Sequence, residues 1–275
     1  MMDAAFRTPL LDLFRRGEVP RDVRLLAARG AVAPRAREQM ALLVFLTSDP
    51  DSEVASTARS TLEALPLDAT RAFLSRGDAP PEVIEYFAGK GVAPAPAGAA
   101  APTGEDPLLA VDETLPDAVP DDAVDASGGS SDEAAEGPAK RVPISSLPVI
   151  DRIKLAMRGT REQRSQLIRD PNRLVAVAVL SSPKLNESEV EAIARMANVS
   201  EDVLRIIGGS RAWTKNYTVI SALTRNPKTP PAISMTMVPR LNERDLKSLS
   251  TDRNVPEGLR IQARKMVSAG QSRKK

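Results

Sequence analysis

The sequence of 275 residues contains neither cysteine nor histidine, and only 3% of its residues are aromatic. Without cysteine no disulfide framework can form, and without either residue the usual ligands of a zinc site are missing. A Ser-His-Asp triad and a Cys-His pair are excluded, because both need an imidazole. The sequence also lacks the glycine-rich motifs that bind nucleotide phosphates. We therefore predict that the protein is not an enzyme and uses no cofactor, no metal and no small-molecule substrate.

Long apolar runs are absent as well. The longest, at 41–46 and 174–180, fall far short of the roughly 18 residues that a membrane-spanning helix needs. The first residues carry Asp3 and reach two arginines before any adequate apolar core, which is unlike a secretory signal. The sequence thus predicts a cytoplasmic protein without membrane contact.

Charge divides the chain into three parts, although the formal net charge is only +2. Residues 1–90 carry a net charge of −1, residues 91–139 carry −11 with no lysine or arginine, and residues 140–275 carry +14. An acidic block beside a basic block indicates electrostatic partners or an interaction tail. We predict three segments: a first helical repeat domain, an acidic linker and a basic second repeat domain.

The predicted linker, residues 91–139, consists mainly of Ala, Pro, Gly, Ser, Asp and Glu and contains no aromatic residue. Such a segment buries too little apolar surface to offset its chain entropy, so we predict that it is disordered. Two functions remain open for it. It is either a solvated spacer or an intramolecular competitor for the basic block.

An internal repeat is the most specific signal in the sequence. When residues 140–275 are aligned with themselves at a shift of 56, identical residues coincide without gaps. The coinciding segments include Leu185-Asn186-Glu187 with Leu241-Asn242-Glu243, Asp170-Pro171 with Asn226-Pro227, and Asn198-Val199 with Asn254-Val255. The last two pairs mark a half-period of 28 residues. Asn, Asp and Pro at such points predict a turn followed by the start of a helix.

The N-terminal block has the same punctuation, at 18–23, 49–54 and 78–83, so its units are 29 to 31 residues long. Apolar residues step by three or four within the units, as Leu43, Leu46, Val54, Ala58 and Leu62 do, which is typical of helices. Repeats of this length indicate stacked helical units. The predicted fold is all-α: two short α-solenoids joined by the linker.

Apolar spacing and cap signals place fifteen helices. They are predicted near 9–16, 21–29, 35–47, 52–65, 69–75, 81–88, 147–158, 161–168, 172–181, 187–197, 201–207, 214–225, 230–238, 243–250 and 257–268.

Two segments resemble known repeat families. Residues 46–65 resemble the second helix of a HEAT-like repeat, with Asp49, Val54, Ala58 and Leu62 in the expected places, although Ala55 stands where an arginine is common. Residues 226–230, Asn-Pro-Lys-Thr-Pro, resemble the bacterial leucine-rich-repeat-variant family. That resemblance implies paired short helices in a right-handed array. Members of the family can carry an iron–sulfur cluster on cysteines, which this chain does not have.

A basic, aromatic stretch is the one candidate binding patch. It comprises Arg211, Trp213, Lys215, Tyr217, Arg225 and Lys228. Trp213 and Tyr217 lie four residues apart, so a continuous helix would place them on one face. Cations beside stacking aromatics are typical of single-stranded nucleic-acid sites. Alternatively, Trp213, Tyr217 and Ile220 form the buried stripe of one repeat helix.

Two functions follow from these patterns. The first is a protein-interaction scaffold, because helical repeats present extended surfaces to partner proteins. The second is a nucleic-acid-binding protein that uses residues 140–275, since phosphates attract lysine and arginine without any motif. A continuous basic groove would favour nucleic acid, and scattered cations would favour protein. Carboxylate pairs such as Glu187 and Glu191 are interpreted as solvated helix faces.

Overall fold

The structure is a computed structural model. It describes residues 8–33, 35–95, 108–109, 118–121 and 142–273. Within these ranges the chain is almost entirely helical, which confirms the all-α prediction. Six helices form before residue 95: α1 Pro9–Arg15, α2 Arg21–Ala28, α3 Ala36–Leu46, α4 Ser52–Glu63, α5 Leu67–Leu74 and α6 Pro81–Gly89.

Nine further helices lie beyond residue 142 in the described part of the chain. They are α7 Val149–Arg158, α8 Arg161–Leu167, α9 Arg173–Leu180, α10 Glu187–Arg195, α11 Glu201–Gly209, α12 Tyr217–Arg225, α13 Pro231–Met237, α14 Glu243–Thr251 and α15 Glu257–Arg273. Three short 3-10 helices occupy Ile144–Ser146, Trp213–Lys215 and Val238–Arg240. All fifteen predicted helices are therefore present.

Several helices start at a side chain that accepts hydrogen bonds from the first backbone N–H groups. Asn186 accepts from the N–H of Glu189 at 2.8 Å, and Asn242 accepts from that of Asp245 at 2.7 Å. Thr160 forms a capping box with Gln163 at the start of α8. Capping by these residues satisfies donors that would otherwise have no partner within the helix.

The 56-residue repeat of the sequence is also a repeat of helix positions. Helices α8 and α12 begin 56 residues apart, and so do α10 and α14, and α11 and α15. Helices α10 (Glu187–Arg195) and α14 (Glu243–Thr251) also have the same length. The self-similarity therefore reflects a repeated structural unit of four helices, which divides into two helix pairs.

Helices of the repeated block contact each other in a regular order. Each helix from α9 to α13 contacts the helix two places further along the chain. Helices that follow each other in the chain also contact each other, as α8 and α9 do and as α14 and α15 do. The buried faces are apolar: Val203, Leu204 and Ile207 of α11 are fully buried, as is Leu223 of α12.

The first block is built around helix α3, which contacts α2, α4 and α6. Its core, called here the α3 core, consists of Ala36, Met40, Leu43, Leu62, Leu65, Phe73, Leu74, Val83 and Phe87. Leu46, Val54 and Ala58 are fully buried beside it, which confirms the predicted apolar spacing. Burial of this apolar surface is the main stabilising contribution to the block.

The predicted acidic linker is only partly described, and its residues 96–107, 110–117 and 122–139 lie outside the described residues. The described residues make specific contacts. Leu108 and Leu109 pack against the α3 core, and a short strand β1, Ala118–Val119, pairs in parallel with β2, Val142–Pro143. The prediction of a disordered linker stays a prediction, and the contacts of Leu108, Leu109 and Ala118 are additions that average composition does not predict.

Contacts group the chain into two compact units. The first unit contains Met1–Gly159 and Ser181–Pro183, and the second contains Thr160–Leu180 and Lys184–Lys275. The domain boundaries expected from charge, at residues 90 and 139, stay a prediction. Among the described residues no helix has the length and apolar character needed to cross a membrane.

Candidate binding surfaces

The predicted patch lies in the second unit, between the end of α11 and the start of α13. Arg211, Lys215 and Lys228 are exposed there. Trp213 is half-buried in a 3-10 helix, Tyr217 begins α12, and Arg225 ends it.

Trp213 and Tyr217 do not share a helix face, so that prediction is wrong. Asn216 between them has an extended backbone (φ −77°, ψ 122°) and caps α12 by accepting from the N–H of Thr218 at 3.0 Å. The chain therefore breaks helical periodicity between the two aromatic rings. Of the alternative buried stripe, only Ile220 is fully buried, and Tyr217 remains 37% exposed.

Tyr217 and Arg225 both bind Asp245 of helix α14. The Tyr217 hydroxyl donates to the Asp245 carboxylate and accepts from the backbone N–H of Asn242 at 3.1 Å. Arg225 donates to the other carboxylate oxygen at 2.6 Å. Burial raises the pKa of Tyr217, and the hydrogen bond to Asp245 acts in the same direction. These two members of the patch thus join neighbouring helices.

Replacement of Tyr217 separates its structural and binding roles. Tyr217→Phe is expected to cost about 1 kcal/mol of unfolding free energy, since it removes two partly exposed hydrogen bonds. Because the ring stays, it should leave any base stacking intact, whereas Tyr217→Ala should remove that as well. Thermal melts and anisotropy titrations with a labelled single-stranded oligonucleotide measure both effects. Equal oligonucleotide affinities for the wild type and Tyr217→Ala would exclude stacking on this ring.

Acidic partners neutralise many cations of the second unit. The ion pairs include Arg161 and Arg164 with Glu189, Arg173 with Asp202, Arg195 with Glu191, Arg205 with Glu201 and Asp202, Arg225 with Asp245 and Lys247 with Glu243. Cations and carboxylates are therefore interspersed along the helices. In the part of the chain that the structure describes, Arg211, Lys215 and Lys228 have no ion-pair partner.

Arg164 and Glu189 form the most buried of these ion pairs. Their side chains are 6% and 8% exposed. Arg164 Nη2 donates to both carboxylate oxygens, at 2.7 and 2.9 Å, and Nε donates at 3.2 Å. The pair lines a cavity of about 70 Å³ between α8 and α10, together with Leu185, Ile193 and Met196. The sequence contains no signal for this pair beyond the 56-residue alignment, in which Glu189 aligns with Asp245.

A larger cavity of about 580 Å³ lies in the first unit, and the sequence analysis did not predict it. Its lining is largely apolar and includes Leu11, Phe14, Val44 and Phe45. Phe45 is 37% exposed. An ion pair between Arg24 and Asp49, with the Asp49 side chain only 4% exposed, also lines it.

The carboxylates of α10 belong to local networks. Glu187 accepts from Asn216 Nδ2 at 3.0 Å, and Glu191 accepts from Thr218 Oγ1 at 2.7 Å and from Arg195. Among the residues described, no three acidic side chains lie close enough together to hold a metal ion. The carboxylate pair therefore links α10 to α12 rather than forming a metal cluster.

Comparison with protein-family models, with curated proteins and with solved structures gives no match for this chain. The resemblances to HEAT-like and leucine-rich-repeat-variant units therefore remain expectations from the sequence.

Proposed function

We propose that the protein is a non-enzymatic interaction scaffold whose second unit is an α-solenoid of helix pairs. The observation that carries the proposal is the regular contact between each helix from α9 to α13 and the helix two places further on. Stacked helix pairs of this kind present a long surface on which a partner protein can bind. The partner in this proposal is another protein, and the repeats are of the HEAT-like class.

The distribution of charge supports a protein partner over a nucleic acid. Binding to a phosphate backbone draws on cations that can replace counterions along a continuous track. In the second unit, cations such as Arg173, Arg195 and Arg205 already have carboxylate partners, and negative charge lies between them. Mixed charges of this kind suit the polar rim of a protein interface.

Nucleic-acid binding is the second candidate, and one observation favours it. Arg211, Lys215 and Lys228 are exposed and lack acidic partners among the described residues, and Trp213 lies between the first two. Three unneutralised cations beside an aromatic ring could hold a single strand by phosphate contact and stacking.

A charge-matched pair of triple variants distinguishes the two functions. The first variant replaces Arg211, Lys215 and Lys228 with alanine, and the second replaces the ion-paired cations Arg195, Arg205 and Lys247. Each removes three positive charges from the full-length chain. If the scaffold proposal holds, neither variant changes affinity for a labelled single-stranded oligonucleotide at physiological salt, because the wild type itself binds weakly.

The opposite result would overturn the scaffold proposal. It consists of salt-dependent oligonucleotide binding by the wild type that the first variant loses and the second retains. Loss of three phosphate contacts would also lower the slope of log affinity against log salt by about 2 to 3. Co-purification of a protein partner after nuclease treatment, retained by both variants, is the result expected of the scaffold.

A further inference from the structure

Gln39 in helix α3 of the first unit binds the backbone of a residue 70 positions away. Its side-chain Oε1 accepts from the N–H of Leu109 at 3.1 Å, and its Nε2 donates to the Leu109 carbonyl at 3.2 Å. The second Nε2 hydrogen is donated to the carbonyl of Gly30 at 2.8 Å. Gln39 is only 1% exposed, so the amide is fully enclosed and fully bonded.

The amide orientation follows from its partners. Two carbonyl oxygens face Nε2 and one N–H faces Oε1, and the flipped amide would place like groups against each other. A primary amide can bind both the N–H and the C=O of one residue, as a neighbouring strand would. These contacts are made to the main chain, so they do not depend on the side chain of the bound residue.

Side-chain selectivity comes from the apolar surface beside Gln39. Leu108 and Leu109 pack against the α3 core, which includes Met40 and Leu43. Gly30 makes room for the second leucine: a Cβ at this position would lie 3.1 Å from Leu109 Cδ1. Gly30 also has a φ of +84°, a conformation that disfavours other residues.

Leu109 is thus held as a bound peptide is held. Its main-chain groups bond to a side chain of α3, and its own side chain lies on the apolar core. Without an occupant, Gln39 would lose two of its three hydrogen bonds, and the apolar surface beside it would lose its cover. The surface therefore favours an occupant that supplies a backbone N–H, a backbone carbonyl and an apolar side chain.

We propose that Gly30, Gln39 and the adjoining α3 core form a peptide-binding site, here called the Gln39 site, with Leu108–Leu109 as its internal ligand. The external ligand is a segment of a partner protein with two adjacent leucines, which displaces the internal one. This inference rests on the proposed scaffold function and assigns it a first docking site. Its residues belong to the first unit and differ from the cations whose replacement tests nucleic-acid binding, so the two tests give separate results.

The test uses full-length protein and a fluorescein-labelled peptide with the chain's own residues 104–113. Leu109→Asp weakens the internal ligand and should tighten binding of the free peptide by about tenfold or more, because a tethered competitor acts at roughly millimolar effective concentration. Adding Gln39→Ala to this variant should abolish the gain. Leu67→Asp is the matched control, because Leu67 is a 49% exposed leucine of the same unit.

Hydrogen exchange gives a second measurement that needs no substitution. An excess of unlabelled peptide should accelerate exchange of the Leu109 amide in the wild-type protein, since displacement frees it from Gln39. A peptide with aspartate at both leucine positions should have no effect. The proposal is overturned if the folded Leu109→Asp variant binds the peptide no better than Leu67→Asp does. It is also overturned if excess peptide leaves Leu109 exchange unchanged, because the leucines would then be a permanent part of the fold.

Discussion

Replacing Arg164 with alanine is expected to lower the free energy of unfolding by about 3–5 kcal/mol, because it leaves a buried carboxylate without its cation. Glu189 is 8% exposed and receives three hydrogen bonds from this one guanidinium. Arg161 cannot replace it, since its Nε lies 3.8 Å from the nearer oxygen and its side chain is 66% exposed. Urea unfolding followed by circular dichroism measures the change.

Two comparisons assign this effect to the buried charge. Arg195→Ala removes an arginine from an exposed pair with Glu191 and should change stability by less than about 0.5 kcal/mol. The double variant Arg164→Met, Glu189→Leu removes both charges and should be more stable than either single variant. A loss of under about 1 kcal/mol for Arg164→Ala would mean that water entering the adjoining cavity solvates Glu189 well enough.

Local chemistry explains why the helices were predictable. Each helix start depends on residues adjacent in sequence, as Asn186 and Asn242 show by capping helices that begin at the next residue. The repeat with a period of 56 residues could be recognised because the same helix cap is needed at the same point of each repeat. Apolar spacing identified the buried faces for the same reason, since periodicity within a helix is a local property.

Contacts between distant residues were not predictable. Glu189 and Asp245 occupy equivalent positions of the repeat, yet one binds Arg164 and the other binds Tyr217 and Arg225. The residue types differ at the equivalent positions: Arg164 aligns with Ile220, and Arg161, which lies 3.8 Å from Glu189, aligns with Tyr217. The identity of a partner is therefore decided by packing, which a pairwise sequence alignment does not contain.

The contacts of Leu108 and Leu109 were not predictable from composition for a related reason. Averaged over 91–139, the segment is acidic and rich in small residues, which predicts disorder. Leu108 and Leu109 nevertheless pack against an apolar surface of the first unit, and the Leu109 backbone bonds to the buried amide of Gln39. Two residues can pack in this way without changing the average composition of the segment. Gln39 itself gave no signal, because a lone glutamine in a helix is ordinary.

The repeat junction at Asn226 provides the second large effect. The sequence predicts a turn and a helix start here, and the turn is confirmed: Asn226 Oδ1 accepts from the N–H of Lys228 at 3.0 Å. The helix start lies further on, at Pro231. Asn226 Nδ2 instead donates to the carbonyls of Ala194 and Met196, at 2.8 and 2.9 Å, at the end of helix α10. One side chain thus joins two neighbouring repeats within the second unit.

Asn226→Ala is therefore expected to lower the free energy of unfolding by about 2–4 kcal/mol, since it removes three hydrogen bonds at a position only 5% exposed. Asn198→Ala is the matched control. It replaces the same residue type 28 positions earlier, where the side chain is exposed, and should change stability by less than about 0.5 kcal/mol. Asn226→Asp keeps the acceptor for Lys228 but sets a carboxylate oxygen against two carbonyls, so it should destabilise at least as much as alanine. Urea unfolding compares all three variants. Equal losses of unfolding free energy for Asn226→Ala and Asn198→Ala would show that the hydrogen bonds between the two repeats contribute nothing to stability.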